Sequence, residues 1–324
     1  MTNQNMSPEL GIMQAIGAEF ARNVYASPEH LELVLASVAL QGSVTLEHSK
    51  PGTGKTLAVS TLAQAMGGEF GRIQGDNTKD ASDIVGSVMF DQATSEYKFN
   101  KGPIFGNAVL IDEAPRFNDL DGLLQPAEEG TVTVEALKTV LDLPTVRNFH
   151  LTGNPLASGR EKLDLATRDR IWLQLPTDEQ TATSYRSKLG IAFGESRKVE
   201  SVADIADIEN VYGAVEEDVK VNPIDMDNAV KLWQGIMQKG MSESAFDSEQ
   251  TTLDESTRPL IHLLKFAQAT TFLKGEHSIT PDTLARLAGP VLAHRISFNR
   301  GYRQEHSNKT PATLVQDAAA DFLK

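Results

Sequence analysis

The chain has 324 residues, of which 40% are hydrophobic and 23% are charged, a composition typical of a globular protein with about two domains. It contains no cysteine, which excludes disulfides, thiolate nucleophiles and metal sites built from cysteine. Thirty basic and 44 acidic residues give a net charge of -14 and no local basic stripe is visible, so the charge disfavours binding to nucleic acid or to anionic lipid.

The first segments of the chain predict two helices. Ser7-Pro8-Glu9 and Ser27-Pro28-Glu29 each place a capping hydroxyl before a proline and a carboxylate in the opening turn. The second helix is expected to end near Gly42. No secretion signal precedes these helices, and no apolar run of the sequence is long enough to cross a bilayer. We therefore expect a cytoplasmic protein.

Short apolar runs then alternate with helical segments, which is typical of a parallel sheet covered on both faces. The runs that predict strands are residues 44–46, 70–73, 108–111, 149–152 and 171–175. Two further pairs of runs predict inserted hairpins: 87–90 with 97–100, and 131–134 with 139–143. We expect an α/β domain over residues 1–176.

Strand patterns disappear after Thr177. Apolar faces and caps predict helices around residues 229–237 and 259–273 and after Thr280 and Thr310. The acidic segment 194–218 and the polar segment 239–252 show no clear periodicity, and we expect loops there. Residues 177–324 are thus predicted to form an all-helical domain.

Residues 49–56, Ser-Lys-Pro-Gly-Thr-Gly-Lys-Thr, lie between the first strand and a predicted helix, as a phosphate-binding loop requires. Small residues let backbone N–H groups converge on phosphates, the ammonium of Lys55 reaches the outer phosphates, and the Thr56 hydroxyl can bind Mg²⁺. Ser49 replaces the first glycine of the usual pattern. The predicted nucleotide contacts here are Pro51, Gly52, Thr53, Gly54, Lys55, Thr56 and Leu57.

The apolar run 108–111 ends in Asp112 and Glu113, which an ordinary core strand rarely does because charges at its tip need partners. Asp112 is predicted to bind Mg²⁺, and Glu113 to activate the water that attacks the terminal phosphoryl group. Asn154 follows the next strand of the predicted sheet and would reach the same edge, where its amide can position that water.

Further motifs follow in a fixed order. They are Phe70-Gly71-Arg72-Ile73-Gln74, Ser82-Asp83-Ile84-Val85-Gly86, Gly102-Pro103-Ile104-Phe105, Arg116 after Asp112-Glu113, Thr131-Val132-Thr133-Val134, Asn154-Pro155, residues 165–171, Ser256-Thr257-Arg258-Pro259 and residues 291–295. As an ordered set over roughly residues 44–296, the motifs resemble the MoxR branch of the AAA+ ATPase family.

This resemblance implies an AAA+ core with a C-terminal helical lid that hydrolyses ATP with Mg²⁺ in a hexameric ring. It implies that Arg258 is a lid arginine that contacts phosphate within its own subunit. It also implies that Arg170 is a finger that reaches the nucleotide of a neighbouring subunit, although Arg168, only two positions away, competes for that role.

Family resemblance also implies chaperone-like remodelling of a protein client, a partner with a von Willebrand factor A domain, and inserted hairpins that act on the client. The hairpins could instead be decoration packed on the core. Two rival functions are a nucleic-acid motor or restriction-type NTPase, which the net charge disfavours, and a scaffold that binds ATP with little turnover. The scaffold function stays an alternative because Ser49 replaces the usual glycine and Pro115 stands where the branch usually has asparagine.

Overall fold

The computed structural model contains a β-sheet with flanking helices, followed by a series of C-terminal helices. It describes residues 7–48, 54–76, 81–93, 95–117, 120–134, 138–153, 163–176, 182–194, 198–247 and 256–321. Within these ranges the strands are β1 (Val44–His48), β2 (Phe70–Gln74), β3 (Gly86–Asp91), β4 (Glu96–Lys101), β5 (Ala108–Asp112), β6 (Thr131–Val134), β7 (Thr139–Asp142), β8 (Asn148–Gly153) and β9 (Leu173–Leu175).

The helices flank these strands and form most of the second half of the chain. They are α1 (Pro8–Asn23), α2 (Pro28–Val38), α3 (Lys55–Ala65), α4 (Ala81–Val85), α5 (Leu120–Glu129), α6 (Leu165–Arg170), α7 (Ala182–Phe193), α8 (Ile205–Asp218), α9 (Pro223–Ser242), α10 (Arg258–Leu273), α11 (Pro281–Leu292), α12 (Arg300–Glu305) and α13 (Pro311–Ala320).

Five parallel strands form the central sheet, in the spatial order β2, β5, β8, β1, β9. The parallel α/β fold predicted from the sequence is confirmed. Every residue of β8, and every residue of β5 except Asp112, is buried. This burial explains why β5 is a continuous apolar run, since a strand covered by helices on both faces has no solvent side.

Both predicted hairpins are present as separate two-stranded sheets. β3 pairs with β4 and β6 pairs with β7, each in antiparallel register. In the first hairpin Phe99 packs against Phe105, while Phe90 and Tyr97 contact each other at 5.2 Å between ring centroids and stay 53% and 73% exposed. One aromatic side chain therefore anchors this hairpin and two remain on its surface.

The predicted helix starts are confirmed by their caps. The hydroxyls of Ser7, Ser27, Thr280 and Thr310 each accept a hydrogen bond from a backbone N–H in the first turn of α1, α2, α11 and α13 respectively. Each cap satisfies a backbone donor that the helix itself leaves without a partner.

The prediction of a loop over residues 194–218 is wrong for its second part, which forms α8. Ile208, Val211 and Val215 bury one face of this helix although most of its other residues are polar. The side chains of Asp204 and Asp207 form a reciprocal capping box at its start. This narrow apolar stripe is enough to stabilise the helix because it packs against α1 and α10. The loop predicted from residue 239 also starts too early, because α9 continues to Ser242.

The N-terminal helices join the sheet to the C-terminal helices. α1 packs on α3 and α8, and α2 packs on α10. The guanidinium of Arg286 on α11 donates to both carboxylate oxygens of Glu32 on α2, at 3.0 and 2.9 Å. The division of the chain at residue 176 stays a prediction. None of the helices in the described ranges has the length and apolar character that a membrane span requires.

Candidate active site

The start of α3 lies at the carboxyl edge of the sheet, directly after the predicted phosphate-binding loop. Gly54 precedes the helix with a φ of +93°, a left-handed conformation that favours glycine, and no atom of the described residues lies within 4 Å of the position a Cβ would take. Lys55 and Thr56 form the first turn, where helix N–H groups point outward and favour an anion. Pro51, Gly52 and Thr53 lie outside the described residues.

Asp112 at the end of β5 is held by two neighbouring strands. The Thr152 hydroxyl donates to its Oδ1 at 2.7 Å, and Arg72 Nη2 donates to its Oδ2 at 2.9 Å. Burial acts to raise the pKa of Asp112, but these hydrogen bonds and the charges of Arg72 and Lys55 outweigh it and lower the pKa. The carboxylate is therefore ionised, and the ammonium of Lys55 is close enough to contribute.

Glu113 occupies a strained turn beside Asp112. Its φ of +54° places a residue with a side chain in the left-handed region, which is uncommon and recurs at functional sites. Its N–H donates to Thr152 Oγ1 at 3.1 Å, and its carboxylate forms an ion pair with Arg116. Gln74 Nε2 lies 3.4 Å from Glu113 Oε2.

The end of β2 passes directly against this turn. A Cβ on Gly75 would lie 2.2 Å from the Glu113 carbonyl oxygen, and the Gly75 N–H donates to the Asp112 carbonyl at 2.6 Å. A side chain at residue 75 would push the two strands apart. The orientation of both carboxylates therefore depends on Gly75 and Thr152, neither of which any sequence motif marks as a site residue.

The donor set at this edge fits a divalent cation with a phosphate ligand. The ionised carboxylate of Asp112 and the hydroxyl of Thr56 are oxygen ligands of the kind that Mg²⁺ prefers. Leu57 follows in α3 with a 48% exposed side chain. The predicted residue Asn154 comes directly after β8, but it lies outside the described residues.

A second charged cluster joins the two predicted arginines. Arg170 at the end of α6 donates through Nη1 to Glu128 Oε2 at 2.8 Å. Arg258 at the start of α10 donates to the same carboxylate through Nε and Nη2, at 3.1 and 3.3 Å, and through Nη1 to Asp169 Oδ2 at 2.9 Å. Glu128 on α5 thus brings together two arginines that are far apart in sequence.

Asp169 links this cluster to the interior. The Ser256 hydroxyl lies 3.1 Å from both carboxylate oxygens of Asp169 and donates one hydrogen bond shared between them, and Arg295 Nε lies 3.7 Å from Asp169 Oδ1. Arg295 is fully buried, and its Nη2 lies within hydrogen-bond distance of the carbonyls of Asp169 and Ile171 and of His262 Nδ1. Burial lowers the pKa of Arg295 to about 9, partly opposed by the charge of Asp169.

This arginine cluster lies at the amino edge of the sheet. The N–H of Trp172, two residues after Arg170, donates to the carbonyl of Val44, the first residue of β1. Lys55 follows the other end of β1, and five residues of strand span roughly 13 Å. Arg258 therefore lies with Arg170 at this edge, and its contact with phosphate in its own subunit stays a prediction.

The two candidate finger arginines differ in their surroundings. Arg168 Nη1 donates to the Ser297 hydroxyl at 3.1 Å, and burial lowers the pKa of Arg168 despite the charge of Asp164. Arg170 instead lies beside Arg258 on the half-exposed Glu128. Which of the two arginines is the finger stays a prediction.

Comparison with known proteins agrees with the fold. The model of the ATPase family associated with various cellular activities (AAA) matches residues 44–173, which include Asp112, Glu113 and Arg170. The model of the AAA lid domain matches residues 245–318, which include Arg258. Together the two matches span more than half of the chain, and they define an AAA-type ATPase core with its lid.

Relatives place the chain within that class. It is 31% identical to the uncharacterized protein YeaC of Bacillus subtilis, over 82% of this chain and 81% of YeaC. It is 24% identical to the chaperone MoxR1 of Mycobacterium tuberculosis, over 90% of this chain and 78% of MoxR1, and 23% identical to the protein MoxR of Paracoccus denitrificans, over 93% of both chains.

A crystal structure from Cytophaga hutchinsonii, provisionally described as an ATPase, has the same fold. Its TM-score is 0.81 at 22% identity, over 96% of this chain and 94% of that chain. The chain belongs to the MoxR-like AAA+ ATPases. The resemblance seen in the sequence is confirmed at this level.

Proposed function

We propose that this chain hydrolyses ATP with Mg²⁺ in a hexameric ring of identical subunits, with each active site shared between two neighbours. The observation that carries this proposal is the separation of the two charged clusters. Asp112 and Glu113 lie at one edge of the sheet, whereas Arg170 and Arg258 lie at the other. One chain thus offers a nucleotide-binding edge and an arginine edge that can complement each other between two copies.

At the nucleotide-binding edge, Lys55 and the N–H groups at the start of α3 would bind the phosphates. Thr56 and Asp112 would hold Mg²⁺, which when bound neutralises charge on the phosphate oxygens. Glu113 would accept a proton from the attacking water, and Asn154 would orient that water. Gln74 and Arg116, both in contact with Glu113, would keep its carboxylate in place until substrate binds.

At the arginine edge, Arg170 of one subunit would stabilise charge on the phosphoryl oxygens bound by the next subunit. Since Arg258 shares Glu128 with Arg170, we also assign it to the neighbour's nucleotide. Hydrolysis would then require assembly, because no single subunit holds a complete set of charges.

The work done by hydrolysis is proposed to be chaperone-like remodelling or assembly of a protein client, with the help of a von Willebrand factor A domain partner. A relative carries the name chaperone MoxR1. The exposed Met89, Phe90 and Tyr97 of the first hairpin are apolar groups that a client can contact. We propose that the protein acts in the cytoplasm.

Glu113→Gln is the decisive test of the proposed chemistry. The change removes the base but keeps the shape of the side chain, so turnover should fall about 100-fold or more while ATP still binds. Steady-state phosphate release and equilibrium binding of a fluorescent ATP analogue measure the two quantities. Glu69→Gln is the matched control, because Glu69 is exposed at the amino end of β2.

Equal rates in Glu113→Gln, Glu69→Gln and the unaltered protein would mean that Glu113 is not the base and would favour a scaffold with little turnover. Stimulation of hydrolysis by DNA that disappears with added salt would favour the nucleic-acid motor instead.

A further inference from the structure

Glu128 occupies an unusual position between two guanidinium groups. Its Oε2 accepts from Arg170 Nη1 at 2.8 Å and from Arg258 Nη2 at 3.3 Å, and its Oε1 accepts from Arg258 Nε at 3.1 Å. The Glu128 side chain is 37% exposed and that of Arg258 is 39% exposed, so solvent and larger anions can reach both.

The donors that hold Glu128 are those that would bind a phosphate. The Nε and Nη2 edge of a guanidinium binds an oxyanion through two parallel hydrogen bonds, and carboxylates and phosphates use this edge in the same way. In Arg258 this edge is taken by Glu128, while Nη1 is anchored by Asp169, whose side chain is only 11% exposed. The hydrogen bond that Arg258 donates to Asp169 raises the pKa of Arg258; burial opposes this rise, and the charge of Glu128 adds to it.

The two carboxylates around Arg258 therefore differ in kind. Asp169 accepts a hydrogen bond from Ser256 and lies close to the buried Arg295, so its position is fixed where α6 meets the C-terminal helices. Glu128 is a surface group near the end of α5, and its two partners Arg170 and Arg258 are 19% and 39% exposed, so neither becomes a fully buried charge when Glu128 turns away. One carboxylate carries less negative charge than a triphosphate, so it neutralises the charge of the two arginines only in part.

We propose that Glu128 is an internal anion that occupies Arg170 and Arg258 in the isolated subunit and is displaced by the neighbour's nucleotide phosphates on assembly. This inference rests on the proposed sharing of active sites between subunits. Glu128 is then an autoinhibitory contact that weakens assembly and keeps the arginine pair closed until a nucleotide-loaded neighbour arrives.

Glu128→Gln tests the inference, with Glu129→Gln as the matched control. Glu129 is the next residue of α5 and carries the same charge, but its carboxylate accepts from Gln125 at 2.7 Å rather than from an arginine. Specific ATPase activity is measured against protein concentration for both variants and for the unaltered chain. Thermal unfolding is recorded alongside to show that each variant is folded.

In Glu128→Gln the protein concentration at half-maximal specific activity should fall about three- to tenfold, which corresponds to one or two solvent-exposed ion pairs. Glu129→Gln should not shift it. An unchanged midpoint, a shift shared by both variants, or a loss of maximal rate in Glu128→Gln would overturn the inference, since the last result would mean that Glu128 aligns the arginines.

A second measurement does not depend on catalysis. In the Glu113→Gln background, sedimentation velocity with ATP should show assembly at a lower protein concentration when Glu128→Gln is added. If the unaltered chain assembles with ATP and shares its sites but this shift is absent, the proposed role of Glu128 is refuted and the shared site is not. Full ATP turnover by the unaltered chain at protein concentrations where sedimentation velocity shows only single subunits refutes the shared site itself, and the role of Glu128 with it.

Discussion

The two edges of the central sheet are built in different ways. At the carboxyl edge, Asp112 and Glu113 are adjacent in sequence, and their partners Thr152 and Gly75 come from the ends of the two flanking strands. At the amino edge, Glu128, Arg170 and Arg258 come from three separate helices, and only tertiary packing brings them together.

The difference shows how far each cluster depends on the rest of the fold. A strand of a parallel sheet delivers whatever follows it to one edge, so the carboxylates need little beyond β5 and its neighbours. The arginine cluster requires α10 to be docked correctly on α6. We therefore expect the nucleotide-binding edge to tolerate changes in the C-terminal helices and the arginine edge to be sensitive to them.

The largest effect is expected when one edge of the sheet is inactivated in one subunit and the other edge in its neighbour. Arg170→Ala should lower ATP turnover about 1,000-fold, because the phosphoryl charge loses a guanidinium supplied by the neighbour. Lys55→Ala should be similarly inactive because it no longer holds the phosphates. Mixed assemblies of the two variants should recover part of the activity, measured as phosphate release at a fixed total protein concentration.

Arg168→Ala is the control for that experiment and should lose less than about tenfold, since Arg168 contacts Ser297 rather than Glu128. If Arg168→Ala is the inactive variant and Arg170→Ala is not, the finger is Arg168. If subunits demonstrably exchange but the mixture of Lys55→Ala and Arg170→Ala stays inactive, the two edges do not share a site.

An intermediate effect concerns stability at the amino edge. Asp169→Asn leaves the fully buried Arg295 without its counter-charge, and we expect the free energy of unfolding to fall by about 3 kcal/mol. Chemical denaturation measures this change. Asp227→Asn, at an exposed position of α9, should change stability by less than about 0.5 kcal/mol. Equal stability of the two variants would show that Asp169 does not stabilise the contact between α6 and the C-terminal helices.

The smallest effect is expected at the carboxyl edge. Thr152→Val removes the hydroxyl that donates to Asp112, which should raise the pKa of Asp112 and lower stability at pH 7 by about 1–2 kcal/mol. Since the pKa of Asp112 is depressed in the fold, its ionisation stabilises the protein above the ordinary carboxyl range. This contribution is lost as the pH falls through the folded pKa.

The difference in stability between Thr152→Val and the unaltered protein should therefore shrink below about pH 4. Thr61→Val is the control, because its buried hydroxyl has no hydrogen-bond partner among the described residues. Denaturation curves at several pH values give the comparison. A difference for Thr152→Val that stays constant with pH would mean that the hydroxyl does not act through Asp112.

Regular features of the chain were accessible from sequence because their signals are local. Ser7, Ser27, Thr280 and Thr310 cap the helices that they predict. Helix α8 was missed because its three buried residues and its aspartate capping box lie within an acidic segment. Packing against α1 and α10 supplies the stability that its local pattern does not show.

The sequence by itself determined the α/β fold, both hairpins and the strand that ends in Asp112 and Glu113. These depend on periodicity and on neighbours along the chain, which an extended string of residues already contains. Only the tertiary structure decided that Arg258 joins Arg170 on Glu128 at the edge away from Lys55, and that Thr152 holds Asp112. Charges pair according to distance in space, and the docking of helices sets that distance after the local elements have formed.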